Sequence, residues 1–278
     1  MDRFALRAAN LLAGNEPNDA SLECTLRGPH LVAERPCVIA ITGADFDPHL
    51  NGEPQPMWAT LSLAAGDALT FGGRRMGART YIAVGGGLDG ESWLGSRSTS
   101  LMTGKGGFHG RPLRAGDLLS TVGTRSPYPA ERRELVPALR PDYSDQSLAA
   151  VAGPHVRRLE AESRRALFSA TFTVSPESDR MGCRLKGPGL QAKAEELLSY
   201  GLVAGAVQLP PSGQPILLMA DHQTAGGYPV VATVVSASMP RAAQLAPGDD
   251  LRFMEVTQAL ARQRRLALSS ALASLSAL

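Results

Sequence analysis

Apolar residues at Phe4, Ala5, Ala8, Leu11 and Leu12 recur three and four apart in MDRFALRAANLLAGN. That spacing predicts an amphipathic helix over residues 2–12, with Asp2 as N-cap and Gly14 as the residue that ends it. After the helix the period changes. Short apolar runs at 37–42, 59–63, 80–84, 206–209 and 230–235 read as strands, parted by turns rich in Gly, Pro, Asn and Asp. Such runs favour a β-barrel or sandwich over alternating βαβ units. Further helices are expected over 192–200, ended by Gly201, and over 256–278, where Arg262, Arg264 and Arg265 mark a solvated face.

The turns also repeat. Cys24-Thr-Leu-Arg-Gly-Pro-His-Leu31 matches Cys183-Arg-Leu-Lys-Gly-Pro-Gly-Leu190, and Leu63-Ala-Ala-Gly-Asp-Ala-Leu-Thr-Phe71 matches Leu245-Ala-Pro-Gly-Asp-Asp-Leu-Arg-Phe253, in the same order. A duplicated β unit explains both pairs, with an insertion between the landmarks of the second copy. The domain reading is therefore a first barrel at 1–125, a Pro-, Arg- and Glu-rich crossover at 126–175 that partly belongs to the second barrel, and a second barrel with its terminal helix at 176–278.

Composition narrows the function classes. With 278 residues, 44% of them hydrophobic, the chain can bury two cores. Its 28 basic residues against 26 acidic ones give a net charge of +2, too balanced to imply a nucleic-acid or anionic-membrane surface. Three cysteines without CxxC or Cys/His spacing fit a reduced, cytoplasmic protein and give no metal site. Neither a signal peptide nor a membrane span is expected.

Four clusters carry candidate chemistry. Val84-Gly85-Gly86-Gly87-Leu88-Asp89 follows a strand but lacks both nucleotide fingerprints; it is a turn, or a backbone cradle in which Gly86 and Gly87 meet an anion. Leu94-Gly-Ser-Arg-Ser-Thr-Ser100 sets Ser96, Ser98 and Thr99 around Arg97, whose planar fork suits a carboxylate or phosphoryl group; polar caps and a structural ion pair are the alternative. Gly107, His109 and Arg111 lie in a glycine-rich loop that either approaches a ligand closely or is a plain hairpin.

The fourth cluster is the densest, MADHQTAGGYPV at 219–230, preceded by Gln208. Asp221 can serve as acid, base or orienting group, can hold a cation or a substrate amine, or else caps the Gly-Gly turn. Gln223 and Thr224 can position a substrate, Gly226 and Gly227 admit its backbone approach, and Tyr228-Pro229 fixes the exit. His222 is a ligand contact or an exposed loop histidine. Cys24 and Cys183 occupy equivalent places in the repeat and read as small apolar positions.

Taken in order, GGGLD, LGSRST, GGFHGRPL, DRMGCRLKGP, GAVQLPPSGQPILLMADHQTAGGYP and LAPGDDLRF resemble the family labelled biotin-dependent carboxyltransferase, allophanate hydrolase subunit 2 and KipA, most closely its members that are the C component of 5-oxoprolinase. The resemblance covers nearly the whole chain. It implies a mainly β protein of two tandem cyclophilin-like β-barrels with a few peripheral helices and a ligand site in the cleft between them. It also implies a hetero-oligomer with a KipI-like B component and a LamB/YcsF-like A component, which opens the lactam of 5-oxoproline to glutamate with ATP and its magnesium. Asp221, Gln223 and Arg97 are then the catalytic candidates, and the other named residues bind a small-molecule substrate. Two rival functions come with the family. One is carboxyl transfer in a urea carboxylase system, where biotin would arrive on another protein because no Met-Lys-Met carrier sequence occurs here. The other is a regulatory protein that binds a KipI-like inhibitor. Relatives carry a preceding segment ending in Met-Asp, so an N-terminal strand is expected to be missing, and Ala225 and Val230 replace a Thr and a Lys of the usual loop.

Overall fold

The computed structural model describes residues 1–123, 132–193 and 197–276. The chain divides into two compact units, one of residues 3–140 with 272–278, the other of residues 1–2 with 141–271. The division falls at 140/141, inside the segment read as a crossover.

The first unit opens with α1 (Arg3–Leu12), ended through Gly14 at φ +78°. Eight strands follow: β1 (Leu22–Thr25), β2 (Leu31–Val32), β3 (Cys37–Asp45), β4 (Pro48–Leu50), β5 (Glu53–Pro54), β6 (Ala59–Leu63), β7 (Ala68–Phe71) and β8 (Met76–Val84). They form two four-stranded sheets, ordered β1-β8-β3-β6 and β2-β7-β4-β5. Ile39, Ile41, Leu61, Leu63 and Ile82 meet Leu69 in one core. Across β3 the alternate residues Val38 and Ala40 are also buried, and the Thr42 hydroxyl donates to the Ala5 carbonyl of α1 at 2.7 Å. A strand covered on both faces has no polar side, which is why 37–42 reads as an unbroken apolar run.

The second unit contains β9 (Ser147–Ala152), α2 (Ala161–Ser169), β10 (Phe172–Val174), β11 (Gly182–Lys186), β12 (Tyr200–Gly201), β13 (Ala206–Gln208), β14 (Ile216–Leu218), β15 (Ala225–Gly226), β16 (Val230–Val234), α3 (Met239–Ala242) and β17 (Asp250–Glu255). The helix α4 (Gln258–Ser276) follows. Seven strands close a barrel in the order β10-β11-β14-β13-β16-β9-β17, with β17 and β9 parallel and the other pairs antiparallel. Phe172, Phe253, Leu148, Leu167 and Leu217 fill it.

The repeat is visible in the turns. Gly66 and Gly248 have φ +91° and +90°, and the carboxylates of Asp67 and Asp249 accept the N–H of Ala64 and Ala246 at 2.7 and 2.9 Å. The same turn is thus built twice, each time around a glycine that tolerates positive φ.

One expected element differs. At the described ends of 192–200 there is no helix: Ala192 bridges Leu159, the Lys193 N–H donates to the Arg158 carbonyl, and Tyr200 begins β12; residues 194–196 lie outside the described set. Tertiary pairing on both sides overrides a helical composition.

Candidate functional site

Side chains alternate across a strand. On β11, β13 and β14, Cys183, Leu185, Val207 and Leu217 enter the barrel core, which turns Gly182, Arg184, Gln208, Ile216 and Leu218 to the outer face. That face is covered. Ala206, Leu218 and Val230 pack with Tyr200, Leu202 and Ile216 where β12 pairs with β15, and the Tyr200 hydroxyl donates to the Tyr228 carbonyl. Gln208, at an outward strand position, is consequently only 1% exposed.

The covering ribbon is held at both ends. At its exit, the Val230 N–H donates to Nδ1 of His155 at 3.1 Å, which puts the ring proton of neutral His155 on Nε2. The ring lies 5.1 Å from that of Tyr200, and burial followed by the nearby Arg158 lowers the His155 pKa, while burial raises that of Tyr200. At its entry, Arg180 grips Asp221 with Nε on Oδ2 at 2.8 Å and Nη2 on Oδ1 at 3.2 Å, and the Asp221 N–H donates to the Arg180 carbonyl. Asp221 is therefore placed as an anchor of the loop. Both of its oxygens are engaged by one guanidinium, a geometry that suits positioning better than proton abstraction.

Between these ends the loop meets the barrel through amides. Gln223 Nε2 donates to Gln208 Oε1 at 3.1 Å, whereas Gln208 Nε2 is buried without a hydrogen-bond partner among the described residues. A Cβ on Gly226 would lie 3.2 Å from that Nε2 and 3.0 Å from Leu202 Cδ1, so a side chain at 226 would crowd the amide. His222 Nδ1 sits 2.6 Å from the Gln223 carbonyl, the Thr224 carbonyl accepts the Leu202 N–H, and a Cβ on Gly227 would stand 3.2 Å from the Leu197 carbonyl. Beside the amides opens a cavity of about 550 Å³, lined by Gln208, Gln223 and Tyr228 and also by Glu177, Asp179, Arg184, Lys186 and Gln214. Of the residues expected at the site, it brings together Gln208, Gln223 and Tyr228, with Gly226 behind them.

The remaining candidates belong to the first unit. The N–H groups of Gly85, Gly86 and Gly87 go to the Val38 carbonyl, Asn15 Oδ1 and the Val84 carbonyl, so the glycine run is a turn and offers no anion cradle. Gly107 exchanges backbone hydrogen bonds with Glu91, and a Cβ there would fall 2.1 Å from Thr99 Oγ1. Ser96 Oγ accepts the Ser98 N–H. His109 holds φ +52° with its ring 4.6 Å from Phe108. Arg111 is committed to Asp117 through two bonds of 2.8 and 2.7 Å, which hold the Asp117 pKa down to about 2. Arg97 is exposed and makes no ion pair among the described residues.

Four contributors escape sequence reasoning: Arg180, Arg184, His155 and Tyr200. Arg180 and Arg184 stand in the DRMGCRLKGP motif, and the alternation C-R-L-K marks Arg184 as outward-facing. Nothing local signals His155 or Tyr200. Burial pushes the Cys24 thiol up to about 12, which fits its reading as an inert position. Among the described residues no cluster of three or more His, Cys, Asp or Glu can hold a metal ion, and no helix is long and apolar enough to cross a membrane.

Comparison with known proteins adds three findings. The family model described as carboxyltransferase domain, subdomain A and B, matches residues 1–255. The chain is 37% identical over 258 residues to the C component of 5-oxoprolinase from Escherichia coli (strain K12), covering 92% of this chain and 81% of that protein; for the C component from Haemophilus influenzae the identity is 35%, with 95% and 84% covered. The solved urea amidolyase of K. lactis matches with a TM-score of 0.92 at 28% identity, over 99% of this chain and 18% of that one.

Proposed function

The chain belongs to the family of carboxyltransferase domains with subdomains A and B, and on that footing we propose that it is the C component of a 5-oxoprolinase, part of a hydrolase complex that opens the lactam of 5-oxo-L-proline to L-glutamate. The observation that carries the reading is the amide pair at the cavity. A lactam edge presents one carbonyl and one N–H, and the carboxamides of Gln208 and Gln223 are the side chains that complement both.

Resonance makes a lactam carbonyl a poor electrophile. Transfer of the ATP γ-phosphoryl group to the lactam oxygen, with ADP leaving, removes that resonance; water then adds to the same carbon, and the C–N bond breaks with the electron pair and a proton going to nitrogen. A second water releases phosphate from the resulting acyl phosphate. In this scheme Gln208 and Gln223 orient the lactam, the Tyr200–Tyr228 ribbon limits access of water, and the Arg180–Asp221 pair holds the loop in register. In the first unit Arg97 is exposed, and its planar fork suits a carboxylate or phosphoryl group.

ATP and its magnesium are assigned to partner proteins, a KipI-like B component and a LamB/YcsF-like A component. The engaged N–H groups of Gly85, Gly86 and Gly87 support that assignment. The test is ATP-dependent glutamate formation from 5-oxoproline by the three proteins together, with each omitted in turn. Activity that survives omission of this chain sinks the proposal.

A second reading is carboxyl transfer, favoured by the likeness to urea amidolyase over 99% of the chain. Here a carboxylated biotin from a separate carrier would enter the cavity. Biotin binding by the chain, together with no glutamate formation in the reconstitution, selects it.

A further inference from the structure

We propose that Arg184, Ile216 and Gln208, side by side on the outer face of the barrel, form a two-point clamp for a small amide that bears a carboxylate: Gln208 pairs with the amide edge and Arg184 with the carboxylate. The clamp deepens the reading above and rests on it. Strand register puts the three residues in one row, Arg184 opposite Ile216 on β11 and β14, and Ile216 opposite Gln208 on β14 and β13. Neighbouring strands lie about 4.8 Å apart, so the two polar residues start about 10 Å apart, a gap that an Arg and a Gln side chain close around a five-membered ring.

Each member brings a distinct property. Gln208 is 1% exposed, its Oε1 is taken by Gln223, and its Nε2 has no partner among the described residues although it lines the cavity. A buried N–H without an acceptor destabilises the empty protein, and a ligand carbonyl removes that destabilisation. With both carboxamides turned over, Gln208 Nε2 donates to Gln223 Oε1 and Gln208 Oε1 accepts a ligand N–H instead, so the pair suits either edge of a lactam. Gly226 lets the backbone pass close to the amide, since a Cβ there would stand 3.2 Å from Nε2. Arg184 is exposed, lines the cavity and makes no ion pair among the described residues, which leaves its planar fork for a carboxylate. Ile216, half-buried between them, is an apolar seat for ring methylenes.

The cavity's other charges refine the ligand class. Lys186 adds a second cation, while Glu177 and Asp179 add two acidic groups, with Asp179 Oδ1 accepting the N–H groups of Met181 and Gly182. Mixed signs favour a ligand with one carboxylate set against one guanidinium over a polyanion. A neutral amide such as urea fills only the Gln208 half.

The test is binding by the full chain, read by calorimetry and by ligand-induced melting shifts, with 5-oxoproline, 2-pyrrolidinone and urea as probes. 2-Pyrrolidinone is the same ring without its carboxylate. The clamp expects 5-oxoproline to bind about tenfold or more tightly than 2-pyrrolidinone, and Arg184→Gln to erase that preference. It expects Gln208→Met to weaken 5-oxoproline about tenfold or more, while the unliganded variant melts no lower than the parent. A Gln208→Met protein that melts lower and binds as before overturns the clamp, as does an Arg184→Gln protein that keeps the preference. If urea binds through Gln208 and 5-oxoproline does not bind, the carboxylate half and the 5-oxoprolinase reading fail together. If no probe binds the chain alone, the variants are compared in the reconstituted complex: Gln208→Met must lower kcat/KM for 5-oxoproline, and an unchanged value sinks the clamp while the proposed function stands.

Discussion

Replacing Asp221 by Asn separates an anchoring carboxylate from a proton-abstracting one. Its partner Arg180 holds both oxygens, at 2.8 and 3.2 Å, and the two side chains are 33% and 34% exposed. Opposite charges about 4 Å apart attract by about 1 kcal/mol in water and about 4 kcal/mol at an effective dielectric constant near 20. One-third exposure and the entropy of two fixed side chains bring the net coupling to about 1–2 kcal/mol. Expressed entirely in the loop, that is a loss of about 5- to 30-fold in kcat/KM. Removal of a general base costs about 10²- to 10⁴-fold. The assay is kcat/KM of the reconstituted complex carrying Asp221→Asn, Arg180→Gln or both. Anchoring predicts two similar single losses and a double variant no worse than either by more than about 0.5 kcal/mol, because the second substitution removes nothing further. A loss beyond about 100-fold for Asp221→Asn beside a near-normal Arg180→Gln refutes the anchoring argument and restores Asp221 as a base.

Two further outcomes follow from the geometry. A Cβ on Gly153 would stand 2.4 Å from the Val230 carbonyl oxygen and 2.7 Å from the Val231 carbonyl carbon, so Gly153→Ala should destabilise the second unit by about 1–3 kcal/mol and shift the exit of the ribbon; an unchanged denaturation midpoint would contradict this packing. Asp117 is held down to about 2 by Arg111, below its unfolded value of about 3.9, so its contribution to stability is present above about pH 4 and is lost as pH falls towards 2. Acid titration of wild type against Asp117→Asn should show that extra loss only in the wild type.

Where sequence patterns were local, the structure agrees with them closely. Five apolar positions on α1, the 59–63 run that is β6, and the Gly66 and Gly248 turns each reflect a preference settled within a few residues. The helix expected over 192–200 failed at its described ends for the complementary reason: its composition was helical, but pairing of Ala192 with Leu159 and of Tyr200 with Gly226 decided its backbone. The glycine run at 85–87 was ambiguous between turn and cradle because only the positions of Val38 and Asn15 show where its N–H groups point.

The mainly β class, the duplicated turn, the family and the crowding of polar groups in 219–230 were all legible along the chain, since each is a matter of period, composition or motif order. Which of those groups act together is a tertiary matter. Asp221 finds Arg180 across 41 residues, and Arg184, Ile216 and Gln208 become neighbours only through the register of three strands. A slip of one residue in that register would turn Gln208 into the barrel core and Val207 outward, and no local preference along the chain distinguishes the two. Burial of the whole barrel face selects the register, and with it the place of the Gln208 amide beside the cavity.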